Sequence, residues 1–205
     1  MHFDAHSRAL PGHPAAAPCK ALHMTTRTTL LRLCTAGVLA AAASLAHADW
    51  RPDAVVLEAG IGRGGLGLLG AGLAWDWRWR HATAGGAEFS ARTELLLNEW
   101  RADDFGGGHQ NFTQLVLLPT LRFDPTRGGP WFLEAGIGLS TMSPLYETPT
   151  KTFSTRFNFY DVLGVGYRLG PGRELGLRLN HVSNAGIKNP NPGEEFLQLR
   201  FLQRF

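Results

Sequence analysis

Eight stretches of roughly ten residues alternate apolar positions with polar or glycine positions, and each is bounded by turn-forming residues. A period of two puts successive side chains on opposite faces of a strand, so each stretch predicts a β-strand with one apolar face. From Ala54 to Gly62, Val55, Leu57, Ala59 and Ile61 share a face opposite Glu58 and glycines. From Leu68 to Arg80, Leu69, Ala71, Leu73, Trp75, Trp77 and Trp79 oppose Asp76, Arg78 and Arg80. From Glu88 to Trp100, Phe89, Ala91, Leu95 and Leu97 oppose Ser90, Arg92, Glu94 and Asn98. From Phe112 to Phe123, Leu115, Leu117, Leu121 and Phe123 oppose Gln114, Thr120 and Arg122. Trp131 to Ser140, Arg156 to Arg168, Glu174 to Ser183 and Glu195 to Phe205 complete the set.

A soluble sandwich or lipocalin-like barrel alternates too, with its apolar face turned inward. Two features favour the opposite arrangement. Aromatic residues gather near segment ends (Trp75, Trp77, Trp79, Phe123, Trp131, Tyr167), as an interfacial girdle requires. The last strand finishes on Phe205, resembling the terminal aromatic of outer-membrane barrels, although Gln203 interrupts its alternation. No apolar run reaches the roughly 18 to 20 residues of a helical span. The mean hydropathy of −0.11 fits a barrel whose two faces average out. The expected fold is all-β: an eight-stranded antiparallel transmembrane outer-membrane β-barrel. With both termini periplasmic, the connections 81–87, 124–130 and 169–173 are short and periplasmic. Those at 101–111, 141–155 and 184–194 are long and extracellular, and 62–67 is a short extracellular one.

The segment before Asp49 alters the charge picture. Residues 1–48 are expected to be an N-terminal extension and signal peptide, starting at Met24. Arg27 and Arg32 supply its positive start, Val38 to Leu45 its apolar core, and Ala46-His47-Ala48 its small-x-small cleavage site. Residues 49–205 are then the barrel. Removing Arg8, Lys20, Arg27 and Arg32 together with Asp4 turns 20 bases and 17 acids into 16 of each. The basic pI of about 9.2 therefore belongs to the leader and argues for no nucleic-acid partner. Cys19 and Cys34 leave with it, so the barrel has no thiol chemistry. No cofactor motif or metal-ligand spacing is present. Asp103, Asp104 and Glu147 define no metal site, and the glycine run from Gly62 to Gly70 has no lysine for a phosphate loop. Thr148 to Lys151 reads as a mobile loop.

Chemistry concentrates at one rim. Leu175, Leu177, Leu179, His181 and Ser183 share the lipid-facing phase of the seventh strand, and Glu195 shares that phase with Leu197, Leu199 and Phe201 of the eighth. Residues i and i+2 of a strand point the same way, about 6.5–7 Å apart. Polar groups on a lipid-facing surface are costly, and ionisable ones in a membrane are candidate functional groups. On spacing alone, a catalytic cluster and a structural turn stand level. Asp161 falls in the lipid-facing phase of the sixth strand, and the reading preferred for it is a bulge that turns it inward.

The run His181-Val-Ser183-Asn184-Ala-Gly-Ile-Lys-Asn-Pro190-Asn191-Pro-Gly193-Glu-Glu195 resembles the signature of the PagL-type lipid A 3-O-deacylases: a His-x-Ser-Asn element, a Pro-Asn-x-Gly loop and a following Glu. The resemblance implies an outer-membrane esterase that hydrolyses the 3-O-linked hydroxyacyl chain of lipid A in lipopolysaccharide, without a cofactor. It implies Ser183 as nucleophile, His181 as general base and Glu195 as the residue orienting the imidazole. Spacing and lipid-face parity select Glu195 over Glu194. Asn191, with backbone amides near Ala185 and Gly186, is the candidate oxyanion donor, and Asn184 is expected to matter through loop shape or directly; turn chemistry also accounts for both asparagines. Members of the family can dimerise, which leaves a homodimer open, although no interface pattern marks the sequence. The competing readings are a non-catalytic adhesion or integrity barrel and a lipid A acyltransferase.

Overall fold

The structure, a computed structural model, describes residues 51–205. The signal peptide expected over Met24 to Ala48, and both cysteines, lie outside the described residues. Within them the chain forms β1 (Ala54–Gly62), a 3-10 turn (Arg63–Gly65), β2 (Gly67–Ala82), β3 (Glu88–Asp103), β4 (His109–Asp124), β5 (Trp131–Ser143), β6 (Phe157–Gly170), β7 (Arg173–Ser183) and β8 (Glu194–Arg204). Each strand pairs antiparallel with its sequence neighbours, and β1 pairs with β8 from Ala54↔Arg204 to Gly62↔Phe196, closing the barrel. Closure removes the exposed edges that an open sheet would present.

Strands stand where alternation predicts them. The main difference lies between β3 and β4, where the expected loop 101–111 shrinks to residues 104–108 because the ladder continues to Asp103↔His109. At Arg101, Asp103, His109 and Asn111 the outward face is polar, so no apolar period marks the strand there. A further irregularity interrupts β2 between Asp76 and Arg80. Two extra residues bulge out and parity is kept: Asp76 faces Arg92, and Arg80 faces Ser90.

The barrel is inside-out relative to a soluble one. Its outer wall exposes Leu57, Leu69, Leu97, Leu115, Leu117, Leu139, Leu163, Leu179 and Leu199, among others. Its interior holds charges. Arg178, fully buried, donates from Nη1 to Glu94 at 2.9 Å and from Nε to Glu134 at 2.6 Å. Arg200 pairs with Glu94, and Arg122 donates to both oxygens of Glu174 at 2.9 and 2.8 Å. A buried charge is tolerable when paired and hydrogen-bonded, and these groups pair across the lumen. A Cβ at Gly166 would lie 2.0 Å from the Phe132 ring, so glycine on the inward face of β6 makes room for that side chain.

The two ends differ. At the short-turn end, aromatic rings pair on the rim, Phe89 with Phe123 at 5.0 Å and Trp131 with Tyr167 at 4.8 Å between centroids. At the long-loop end a second aromatic cluster closes the top. Trp100 packs against Phe196 and Tyr146, and Tyr146 also touches Phe112 and Phe153. The β5–β6 loop supplies Tyr146 and Phe153 to that lid. The segment read as mobile, Thr148 to Lys151, is a tight turn. Thr148 Oγ1 donates to the Lys151 carbonyl at 3.1 Å, and the Lys151 N–H donates back to Thr148 Oγ1 at 3.1 Å.

Candidate active site

At the long-loop end, neighbouring strands place their outward-facing residues in cross-strand rows. One row is Asp161 (β6), His181 (β7) and Glu195 (β8), each directly opposite the next in register. Cross-strand partners stand about 4.5–5.5 Å apart at Cβ, which is within reach of an imidazole and a carboxylate. His181 Nδ1 meets Glu195 Oε1 at 3.2 Å. Both side chains are about half exposed, at 43% and 55%. A carboxylate on Nδ1 fixes the tautomer in which Nδ1 carries the proton and Nε2 is free to accept one.

Ser183 lies one row further out, opposite Phe159. Its strand phase points outward, as parity predicts, yet the residue is only 8% exposed. The loop 184–193 accounts for this. Its first turn folds back so that the Ala185 N–H donates to Ser183 Oγ at 3.4 Å. The serine hydroxyl therefore rests on a backbone amide, while the histidine is engaged by Glu195.

The loop is tied by its asparagines. Asn184 is buried, and its side chain is fully committed: Nδ2 donates to Ser154 Oγ at 3.0 Å and to the Lys188 carbonyl at 2.8 Å, while Oδ1 accepts the Gly186 N–H at 2.9 Å. Asn184 thus shapes the loop. Asn191 Oδ1 accepts the Asn184 N–H at 3.0 Å. That bond fixes the orientation of the amide, and Nδ2 remains as its group for donation. Ala185 adopts φ +53, a left-handed conformation unusual for a residue with a Cβ. The adjoining Gly186, at φ +76, follows it.

Gly193 closes the loop against the histidine. Its φ is +66, and a Cβ there would lie 2.8 Å from His181 Cε1. The Pro-Asn-x-Gly element therefore has a steric reason for its glycine: the backbone forms a wall for the imidazole. The two successive glutamates separate by parity. Glu195 faces outward to His181, whereas Glu194 is buried and binds Lys151 Nζ at 2.9 Å and the Tyr146 hydroxyl at 3.0 Å. Burial, then the Glu194 carboxylate, pushes the Tyr146 hydroxyl well above its ordinary pKa, so it stays a donor.

Below the row runs an apolar groove of about 460 Å³ on the outer wall. Leu163, Leu179, Leu197 and Ile61 form the next row down and floor it, while His181, Glu195, Asp161 and Arg63 line its polar end. The expected bulge turning Asp161 inward is absent; regular pairing runs unbroken from Phe159↔Ser183 to Arg168↔Glu174, so Asp161 keeps the outward phase and joins the site. Sequence reasoning did not select Lys151, Tyr146, Ser154 or Arg63. All four reach the site from loops, where no period marks a side chain's direction.

A closed barrel with leucine outside, paired charge inside and a His181–Glu195 pair on its outer wall belongs to the class of membrane-spanning β-barrels. A family model described as lipid A 3-O-deacylase (PagL) matches residues 69–203. Lipid A deacylase PagL of Bordetella bronchiseptica is 35% identical over 129 residues, covering 62% of this chain and 70% of the relative. Its namesake from Pseudomonas aeruginosa is 30% identical over 130 residues, covering 62% of this chain and 72% of the relative. The crystal structure of the outer membrane enzyme PagL shares the fold, with a TM-score of 0.65 at 24% identity, over 74% of this chain and 99% of that one. The chain belongs to the lipid A 3-O-deacylase (PagL) family.

Proposed function

We infer that this protein hydrolyses the 3-O-linked acyl chain of lipid A, using Ser183, His181 and Glu195. The observation that carries the reading is the 3.2 Å contact between His181 and Glu195 on the lipid-facing wall, with Ser183 two residues along the same strand face. Ser183 Oγ attacks the ester carbonyl while His181 Nε2 takes its proton. The tetrahedral oxyanion draws on Asn191 Nδ2 and backbone N–H groups of the loop. His181 then returns the proton to the departing sugar oxygen, leaving an acyl-serine that water cleaves by the same route in reverse. Glu195 holds the imidazole and offsets its positive charge.

The position of the groove supports a membrane glycolipid as substrate. An acyl chain already in hydrocarbon can lie along Leu163, Leu179, Leu197 and Ile61 without crossing the wall. Arg63, at the polar end of the groove, offers a guanidinium to an anionic headgroup. The lumen, filled by ion pairs and capped by aromatics, is not needed as a path.

Mass spectra of lipid A from cells making the wild-type protein or Ser183→Ala test the reading. The expected result is loss of one hydroxyacyl mass with the wild type and none with the variant. An unchanged wild-type spectrum with folded protein would leave the barrel without this activity, and a gain of acyl mass would point to transfer to a second lipid.

A further inference from the structure

The loop 184–193 is held by more than its own internal bonds. The β5–β6 loop, residues 144–156, grips it at two points. Ser154 Oγ donates to the Lys188 carbonyl at 2.8 Å and accepts from Asn184 Nδ2 at 3.0 Å. Lys151 Nζ donates to the Gly193 carbonyl at 2.8 Å and to Glu194 Oε2 at 2.9 Å. The other oxygen of Glu194 accepts the Tyr146 hydroxyl, so both oxygens of this buried carboxylate are used by one loop. Tyr146 is anchored in turn by rings of the lid, with centroids 4.9 Å from Phe112 and 4.9 Å from Phe153.

Gly193 is the residue whose backbone abuts His181 Cε1. The chain of contact therefore runs from the aromatic lid through Lys151 to the Gly193 carbonyl, and from Gly193 to the imidazole. Glu195 holds the adjoining ring atom, Nδ1. We propose that Lys151 is a positioning residue for His181: it sets the Gly193 wall that, together with Glu195, fixes the plane of the imidazole. This rests on the hydrolytic reading of the site.

The competing account is a clamp that holds the loop and nothing more. Against it stands the second bond of Lys151. An ion pair to Glu194 alone would staple the two loops, and such a pair, with the Lys151 side chain 24% exposed, contributes little net stability. A donor to the Gly193 carbonyl is something no apolar pair supplies, and it acts on the residue touching the ring.

The test uses the full barrel folded in detergent micelles, with kcat and KM measured on lipid A and the His181 Cε1–H resonance followed by NMR. Three variants are compared: Lys151→Met keeps the stem but no donor, Lys151→Arg keeps donors and charge, and Lys151→Gln is polar but uncharged. Lys151→Met is expected to shift the His181 resonance and lower kcat about tenfold, since misplacing a reacting group by a fraction of an ångström costs on that order. KM should stay within about twofold, because the groove and headgroup contacts are untouched. Lys151→Arg should restore both the resonance and most of kcat. A folded Lys151→Met with an unmoved resonance and wild-type kcat overturns the proposal. So does a loss of activity that Lys151→Arg fails to restore. Should Lys151→Met not fold, Lys151→Gln decides: the same shift in smaller degree is expected, and an unmoved resonance at wild-type kcat overturns it. If the wild type itself releases no acyl chain, the hydrolytic reading falls, while the resonance still reports whether Lys151 orients the ring.

Discussion

Gly193→Ala is the most direct test of the wall behind His181. Two effects act together. The first is local: at φ +66 a Cβ costs about 1–2 kcal/mol, whatever its neighbours. The second is specific: the methyl would lie 2.8 Å from His181 Cε1, whereas carbon atoms pack at about 3.5–4.0 Å. The ring or the loop must then give way by ~0.7 Å to restore an ordinary contact. With His181 in its proposed role of general base, a shift of that size is expected to lower kcat about 10- to 100-fold, since a misplacement near 1 Å costs on the order of 100-fold. Gly128→Ala serves as the control. Its φ is +73 and nothing lies within 4 Å of the added Cβ, so it carries the backbone strain without touching the site. Hydrolysis of lipid A in micelles, paired with urea unfolding of both variants, separates the terms. Comparable destabilisation with lost activity only in Gly193→Ala is the expected outcome. Wild-type kcat in a folded Gly193→Ala would refute the reasoning, because the imidazole could not then depend on that wall.

Other expectations follow from the same geometry. Asn191→Ala removes the proposed amide donor together with the acceptor of the Asn184 N–H, and should lower kcat about 100- to 1,000-fold with the barrel's unfolding midpoint unchanged, as steady-state kinetics beside a urea titration would show. Asn184→Ala empties a fully bonded side-chain site and should instead loosen the loop, seen as faster proteolysis within 184–193 together with lost activity. Glu94→Gln weakens the carboxylate shared by Arg178 and Arg200 and is expected to cost up to about 3–5 kcal/mol in an unfolding titration, since it leaves buried guanidinium charge uncompensated. Leu117→Arg, mid-strand on the exposed outer wall, should cost about 2–4 kcal/mol in lipid vesicles. A cost near zero would mean that this face does not meet hydrocarbon.

Much of this molecule is legible along the chain because a strand's period is local. The alternation of Leu175, Leu177, Leu179, His181 and Ser183 both predicts β7 and states which side those residues face. The same parity divides Glu194 from Glu195 before any coordinates are known. Bulges and loops are where local reading stops. The preferred inward turn at Asp161 needed an irregularity that β6 does not contain between Phe159 and Arg168, and the outer ends of β3 and β4 carry polar residues on the outward face, so no apolar period reveals them.

Sequence alone therefore determined the strand count, the inside-out sense of the barrel and the outward phase of His181, Ser183 and Glu195. These depend on neighbours one or two residues away. Tertiary structure decided what parity cannot encode. It set Asp161 and Glu195 on either side of His181, drew the loop over Ser183, sent Glu194 to Lys151 and Tyr146, and put Gly193 against the imidazole. Each of these joins residues through strand register or loop packing, and those contacts exist only once the barrel has closed.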